Sequence, residues 1–134
     1  MTTASAAETQ SIAEELGRAL PADTTLALHG DLGVGKTTFV QGLARGLDIA
    51  EPVTSPTFNL YSIHRGPRKV LVHLDAYRIE TARQVADLLL EDFLVSPWCL
   101  AVEWPEKIAG WLPPSALNLT LGITPDEKHT LKLE

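Results

Sequence analysis

The sequence predicts an α/β fold: a mixed sheet, parallel at its centre and antiparallel toward one edge, flanked by helices. Three observations carry that expectation. A glycine-rich segment, Gly30 to Gly35, lies between an apolar run, Leu26-Ala27-Leu28, and a helix-like stretch from Phe39 to Leu47. Two more apolar runs, Val70 to Leu74 and Cys99 to Val102, are continuous, as in strands buried on both faces. Leu117, Leu119, Leu121 and Ile123 instead alternate with mostly polar or small residues, as in a strand with one wet face.

From the N-terminus, residues from about Ala7 to Leu20 read as an amphipathic helix. Ile12, Leu16 and Leu20 share one face, and Pro21 stops it. A short buried strand, Leu26 to His29, leads into the glycine loop and its helix to about Leu47. Glu51-Pro-Val-Thr-Ser-Pro-Thr57 holds two prolines and three hydroxyl side chains, the composition of an ordered loop. Phe58 to His64 and Val70 to Asp75 read as strands joined through Arg65-Gly66-Pro67. A helix is expected from Ala82 to about Leu90, and a strand from Trp98 to Glu103. Leu131 and Leu133 repeat the alternation of Leu117 to Ile123 and could pair with it as a hairpin.

The chain has 134 residues, room for one domain spanning 1–134, and no linker or repeat divides it. No apolar run is long enough for a bilayer, and the first residues lack a basic and apolar signal sequence. The lone Cys99, set among Trp98, Leu100 and Ala101, excludes an internal disulfide and reads as a core thiol. A cytoplasmic protein is expected, without membrane association. Net charge is −6, which argues against autonomous nucleic-acid binding, since that needs a basic stripe to displace counterions.

Gly30-Asp-Leu-Gly-Val-Gly-Lys-Thr37 fits the pattern G-x-x-x-x-G-K-S/T, with Thr38 directly after. Strand, glycine loop and helix N-terminus convert a string of backbone N–H groups into an anion cradle, here from Gly30, Asp31, Leu32, Gly33, Val34 and Gly35 into the helix. Gly30, Gly33 and Gly35 permit positive φ and a close approach to phosphate oxygens. Lys36 is placed to reach the β- and γ-phosphates, and the Thr37 hydroxyl is a hard oxygen suited to magnesium. The alternative is a glycine-rich turn with an exposed lysine; three glycines in register with Lys-Thr-Thr make nucleoside triphosphate binding the better reading.

Two apolar strands end in acids, Asp75 and Glu103. In an open α/β sheet, ligands sit beyond the carboxyl ends of the parallel strands. An acid there can hold magnesium or orient an attacking water, and spacing alone does not decide which acid does which. The bland alternative is that each caps a helix or pairs with Arg78 or Lys107. His73 shares a sheet face with Asp75. It could be catalytic, though a hydrogen-bonded strand histidine is the commoner case. His29, His64 and His129 show no ligand spacing and receive no role. Trp98 and Trp111 default to packing, whereas Trp104, following Glu103, is expected near the nucleotide.

Residues 30–39, Ser55-Pro56-Thr57-Phe58, His73-Leu74-Asp75-Ala76-Tyr77-Arg78 and Glu103-Trp104-Pro105-Glu106-Lys107 resemble the TsaE (YjeE) family in order and approximate spacing, over nearly the whole chain. The resemblance implies a P-loop NTPase-like domain and an ATPase needed for threonylcarbamoyladenosine formation beside the tRNA anticodon. It implies ATP and Mg²⁺ as cofactors and TsaD and TsaB homologues as partners, with tRNA met only through the complex. By position, Gly33, Gly35, Lys36, Thr37 and Thr38 would hold phosphates, and Thr37 with Glu103 would bind magnesium. Thr57 would sit in a switch-like loop sensing the γ-phosphate, and Asp75 would be the Walker-B-type acid. Trp104 would neighbour the site, Thr9 would touch the nucleotide, and Lys128 would lie near the purine. The chain departs from the family at Ala76 and in the helix Thr81 to Leu90, which is less acidic and more apolar than usual.

Rival readings fit less well. A small-molecule kinase commonly closes an arginine-bearing lid, and no arginine follows Arg83. A GTP switch would carry Asn-Lys-x-Asp, and the asparagines are Asn59 and Asn118 alone. A nucleotide-sensing adaptor without productive hydrolysis stays open, because partner affinity could follow ATP occupancy alone. Intrinsic hydrolysis is expected to be slow and to become productive in the complex, because Arg78 is the only arginine close to a strand-end acid.

Overall fold

The computed structural model describes residues 2–31, 35–54 and 60–134. Seven strands form one sheet: β1 (Thr2–Thr3), β2 (Thr24–His29), β3 (Tyr61–Arg65), β4 (Val70–Asp75), β5 (Trp98–Glu103), β6 (Leu117–Ile123) and β7 (His129–Leu133), in the order β1-β7-β6-β2-β5-β4-β3. The four central strands β6, β2, β5 and β4 are parallel. Antiparallel partners close both edges: β3 beside β4, and β7 with β1 beside β6. Antiparallel pairing was expected toward one edge; both strand pairs read from the sequence form hairpins, and they lie at opposite ends of the sheet. β1 escaped the sequence reading because two residues carry no period.

Helix α1 (Ala6–Ala19) starts at Ser5, whose hydroxyl accepts the Glu8 N–H, while the Glu8 carboxylate takes the Ala4 N–H at 2.6 Å. It ends at Leu20, before Pro21. Helix α2 (Lys36–Gly46) buries Phe39, Val40, Leu43 and Ala44, the spacing of one helical face. These two helices cover one side of the sheet, over Leu26, Leu28, Leu71, Cys99, Leu119 and Leu121. The other side packs Val72, Leu74, Leu100 and Val102 against Ala76, Ile79, Val85, Leu90 and Ile108. Trp98 and Trp111 pack against this second core, as expected. Cys99 is fully buried, and burial pushes its thiol up to about 12, so it is no nucleophile.

The third helix is shorter than the sequence predicts. α3 covers Ala82–Ala86, opened by Thr81 and Gln84 in a capping box, and a separate 3-10 turn covers Leu90–Asp92. Val85 and Leu90 are both fully buried. In a continuous α-helix, side chains five residues apart would point roughly 140° apart. Leu89, at φ 54°, reverses the chain so that Leu90 returns to the core.

Helices α1 and α2 touch backbone to backbone. A methyl added at Gly46 would overlap the Glu14 carbonyl oxygen, and one at Gly42 the Gln10 carbonyl oxygen. Neither neighbour can rotate away, because both are main chain. Gly46→Ala is therefore expected to cost about 1–3 kcal/mol of folding stability. Gly110→Ala, with nothing within 4 Å of the added methyl, should be near neutral in the same denaturant titration. Equal effects of the two would mean that the helix pair is looser than described.

Candidate active site

Strand β2 delivers its chain to the start of α2, and both described ends of the connecting loop use conformations suited to glycine: Gly30 at φ 147° and Gly35 at φ 100°. Gly35 is the N-cap of α2. No side chain caps this helix and no acid stands in its first turn. Most helix starts carry a Ser, Thr, Asp or Asn cap. Here the amides and the partial positive charge of the helix end, about half a unit, are left for an anion. Leu32, Gly33 and Val34, expected in the cradle, lie outside the described residues, as does Thr57.

Lys36 is only 5% exposed. Its Nζ donates to the Gly30 carbonyl at 2.7 Å and lies 3.6 Å from the centroid of the Trp104 ring. Burial lowers its pKa by desolvation, opposed by the carboxylates of Glu103, Asp75, Glu106 and Asp31. Trp104 holds a left-handed backbone, φ 57°, uncommon for a bulky residue, as the chain turns from β5 into the 3-10 helix Pro105–Ile108. Tyr77 packs on it with ring centroids 5.1 Å apart. The resulting aromatic wall stands beside the Lys36 ammonium.

The acids meet because β4 and β5 pair in parallel, with Asp75 opposite Glu103 and His73 opposite Ala101. The two-residue period puts His73, Asp75 and Glu103 on the same face as Leu71, Cys99 and Ala101, the face covered by α2. Glu103, 4% exposed, reaches the Thr37 hydroxyl at 3.5 Å through Oε2. The same oxygen accepts from His73 Nε2 at 2.5 Å. Its hydrogen-bond partners among the described residues are thus Thr37 and His73. Asp75 is more exposed, and its Oδ1 accepts the Tyr77 N–H at 3.0 Å, so it also steadies the turn after β4.

Thr37 and Glu103 offer hard oxygens side by side, which fits magnesium. No group of three or more His, Cys, Asp or Glu side chains among the described residues could cage a metal. Magnesium characteristically takes one or two protein oxygens and completes its shell with phosphates and water.

Other predicted positions gather at this end of the sheet with different partners. Thr9, 3% exposed, uses its hydroxyl on Thr3 at 2.7 Å and on the Ser5 carbonyl at 3.2 Å. Thr3 pairs with His129, whose Nδ1 would lie 3.9 Å from a Cβ on Gly35. Lys128 is exposed in the turn between β6 and β7, 3.6 Å from Asp126. Thr38 is half-buried as the third residue of α2, and Asp31 is exposed, its carboxylate felt by Lys36. Two histidines also stand here: His73 is a hydrogen-bonded strand histidine, the commoner case expected, with Glu103 as its partner, and His129 lies near the start of α2. The parity of His73 with Asp75 was the available signal for the first; nothing local marked the place of His129.

The parallel centre, the glycine loop feeding α2 and the acids at neighbouring strand ends define a P-loop NTPase-like protein. No helix among the described residues is long and apolar enough to cross a membrane. The family model described as "Threonylcarbamoyl adenosine biosynthesis protein TsaE" matches residues 3–131, and the chain belongs to the TsaE family. The tRNA threonylcarbamoyladenosine biosynthesis protein TsaE of a Nostoc species is 43% identical over 110 residues, covering 79% of this chain and 67% of the relative. The protein of the same name from Treponema pallidum is 36% identical over 111 residues, covering 83% and 82%. A crystal structure of YdiB from Bacillus subtilis superposes with a TM-score of 0.83 at 29% identity, over 99% of this chain and 82% of that one.

Proposed function

We propose that this protein binds ATP with magnesium, hydrolyses it slowly alone, and acts in the cytoplasm in threonylcarbamoyl modification of tRNA adenosine beside the anticodon, with TsaD and TsaB homologues. The observation that carries the nucleotide part is the uncapped start of α2 with the Thr37 hydroxyl and Glu103 carboxylate meeting beside it. The pathway rests on the names borne by its relatives. The net charge of −6 supports contact with tRNA through the complex rather than directly.

In this reading the amides of residues 30–38 bind the polyphosphate. Lys36 exchanges the Gly30 carbonyl for phosphate oxygens, and Trp104 keeps water from one side of its ammonium. Thr37 and Glu103 hold the magnesium ion. Held by these two residues, magnesium would supply positive charge to offset the charge developing on the phosphate oxygens. Asp75, at the more exposed strand end, orients the attacking water. Thr57 senses the γ-phosphate, ATP stabilises one docking state, and hydrolysis releases it. Thr9 and Lys128 serve the nucleoside end.

The test is ATP turnover by the protein alone and with purified TsaD and TsaB homologues. Turnover is expected to rise in the complex. Equal rates in both conditions would reject stimulated hydrolysis, and docking that follows ATP occupancy without turnover would favour the adaptor reading.

A further inference from the structure

Glu103 has an unusual anchor. Its carboxylate is buried, and the side-chain donors facing it are the Thr37 hydroxyl, at a long 3.5 Å, and His73, at 2.5 Å. His73 is fully buried in β4, and the residue opposite it in β5 is Ala101, whose small side chain leaves the ring room. Its other nitrogen, Nδ1, is buried and has no hydrogen-bond partner among the described residues. No acceptor is ready for a second N–H, so the ring's proton belongs on Nε2, facing Glu103. The ring is thus hydrogen-bonded on the side of the site alone.

We propose that His73 is a positioning residue for magnesium-dependent nucleotide binding: it fixes the rotamer of Glu103 through one N–H and so presents the carboxylate to the metal beside Thr37. The inference rests on the assignment of Thr37 and Glu103 to magnesium. Carboxylate ligands are characteristically held by such outer hydrogen bonds, whose loss typically weakens metal affinity or activity by about 10–100-fold.

The experiment is calorimetric titration of ATP at stepped concentrations of free magnesium, and again in chelator, with wild type and three variants. Glutamine carries its amide nitrogen as many bonds from Cβ as histidine Nε2, asparagine is one bond short, and leucine has no donor. His73→Gln should keep the magnesium dependence within about threefold of wild type, whereas His73→Asn and His73→Leu should need about 10–100-fold more magnesium. All should bind ATP alike in chelator. Equal losses in the three variants, or wild-type behaviour of His73→Leu, overturn the proposal. If His73→Leu does not fold, the contrast between glutamine and asparagine decides. Wild-type binding that ignores magnesium would instead overturn the assignment of Glu103, a result distinguishable because it needs no variant.

Discussion

Lys36→Ala is expected to weaken ATP binding by about 2–4 kcal/mol, roughly thirty- to a thousandfold in Kd. The reason lies in what surrounds the ammonium before nucleotide arrives. It is buried, depressed in pKa by desolvation, and held by a carbonyl and an aromatic face. No carboxylate of the described residues lies within ion-pair distance of it. A phosphate oxygen would supply the charge-assisted bond that this arrangement lacks. Because a desolvated cation costs free energy in the empty site, the same variant should melt no lower than wild type. Calorimetry with ATP, GTP and ADP, run beside thermal melts, checks both statements. An unchanged Kd in a folded variant would remove Lys36 from the phosphate site and leave the nucleotide reading without its cation.

Glu103→Ala should act on a different quantity. Its carboxylate turns toward the Thr37 hydroxyl, a metal-side group rather than a phosphate-binding amide, so ATP binding in chelator should survive. Turnover at saturating ATP and magnesium should fall by about 10²–10³, the scale for removing one preorganised electrostatic group. Glu103→Gln separates the causes, since it keeps an oxygen for His73 and loses the negative charge. Turnover near wild type in Glu103→Gln would mean that geometry rather than charge matters there. The same loss of nucleotide binding in Glu103→Ala and Lys36→Ala would show that Glu103 holds phosphate geometry rather than metal.

Much of the architecture was legible because its signals are local. The continuous runs at 70–75 and 98–103 became central parallel strands, and the alternating run at 117–123 became a strand with one wet face. The third helix was overextended because three consecutive leucines, Leu88 to Leu90, carry no record of a chain reversal. Which of them turns inward depends on the core that receives it. The edge placement of the two hairpins was likewise hidden, since a hairpin's sequence says how its strands pair and not where the pair docks.

For the site, the amino-acid sequence alone determined the glycine-rich loop, the acids at the strand ends, and the family, because each resides in contiguous or ordered motifs. The tertiary structure alone decided that Asp75 stands beside Glu103, that Glu103 turns to Thr37 66 positions away, and that His73 anchors it from 30 positions away. It also decided that Lys36 rests on Trp104, and that Thr3, Thr9 and His129 cluster at the same end of the sheet. The physical reason is that strand partners are chosen by burying two apolar faces at once. That condition is met only when distant segments meet, and a side chain's hydrogen-bond partners follow from the register it imposes.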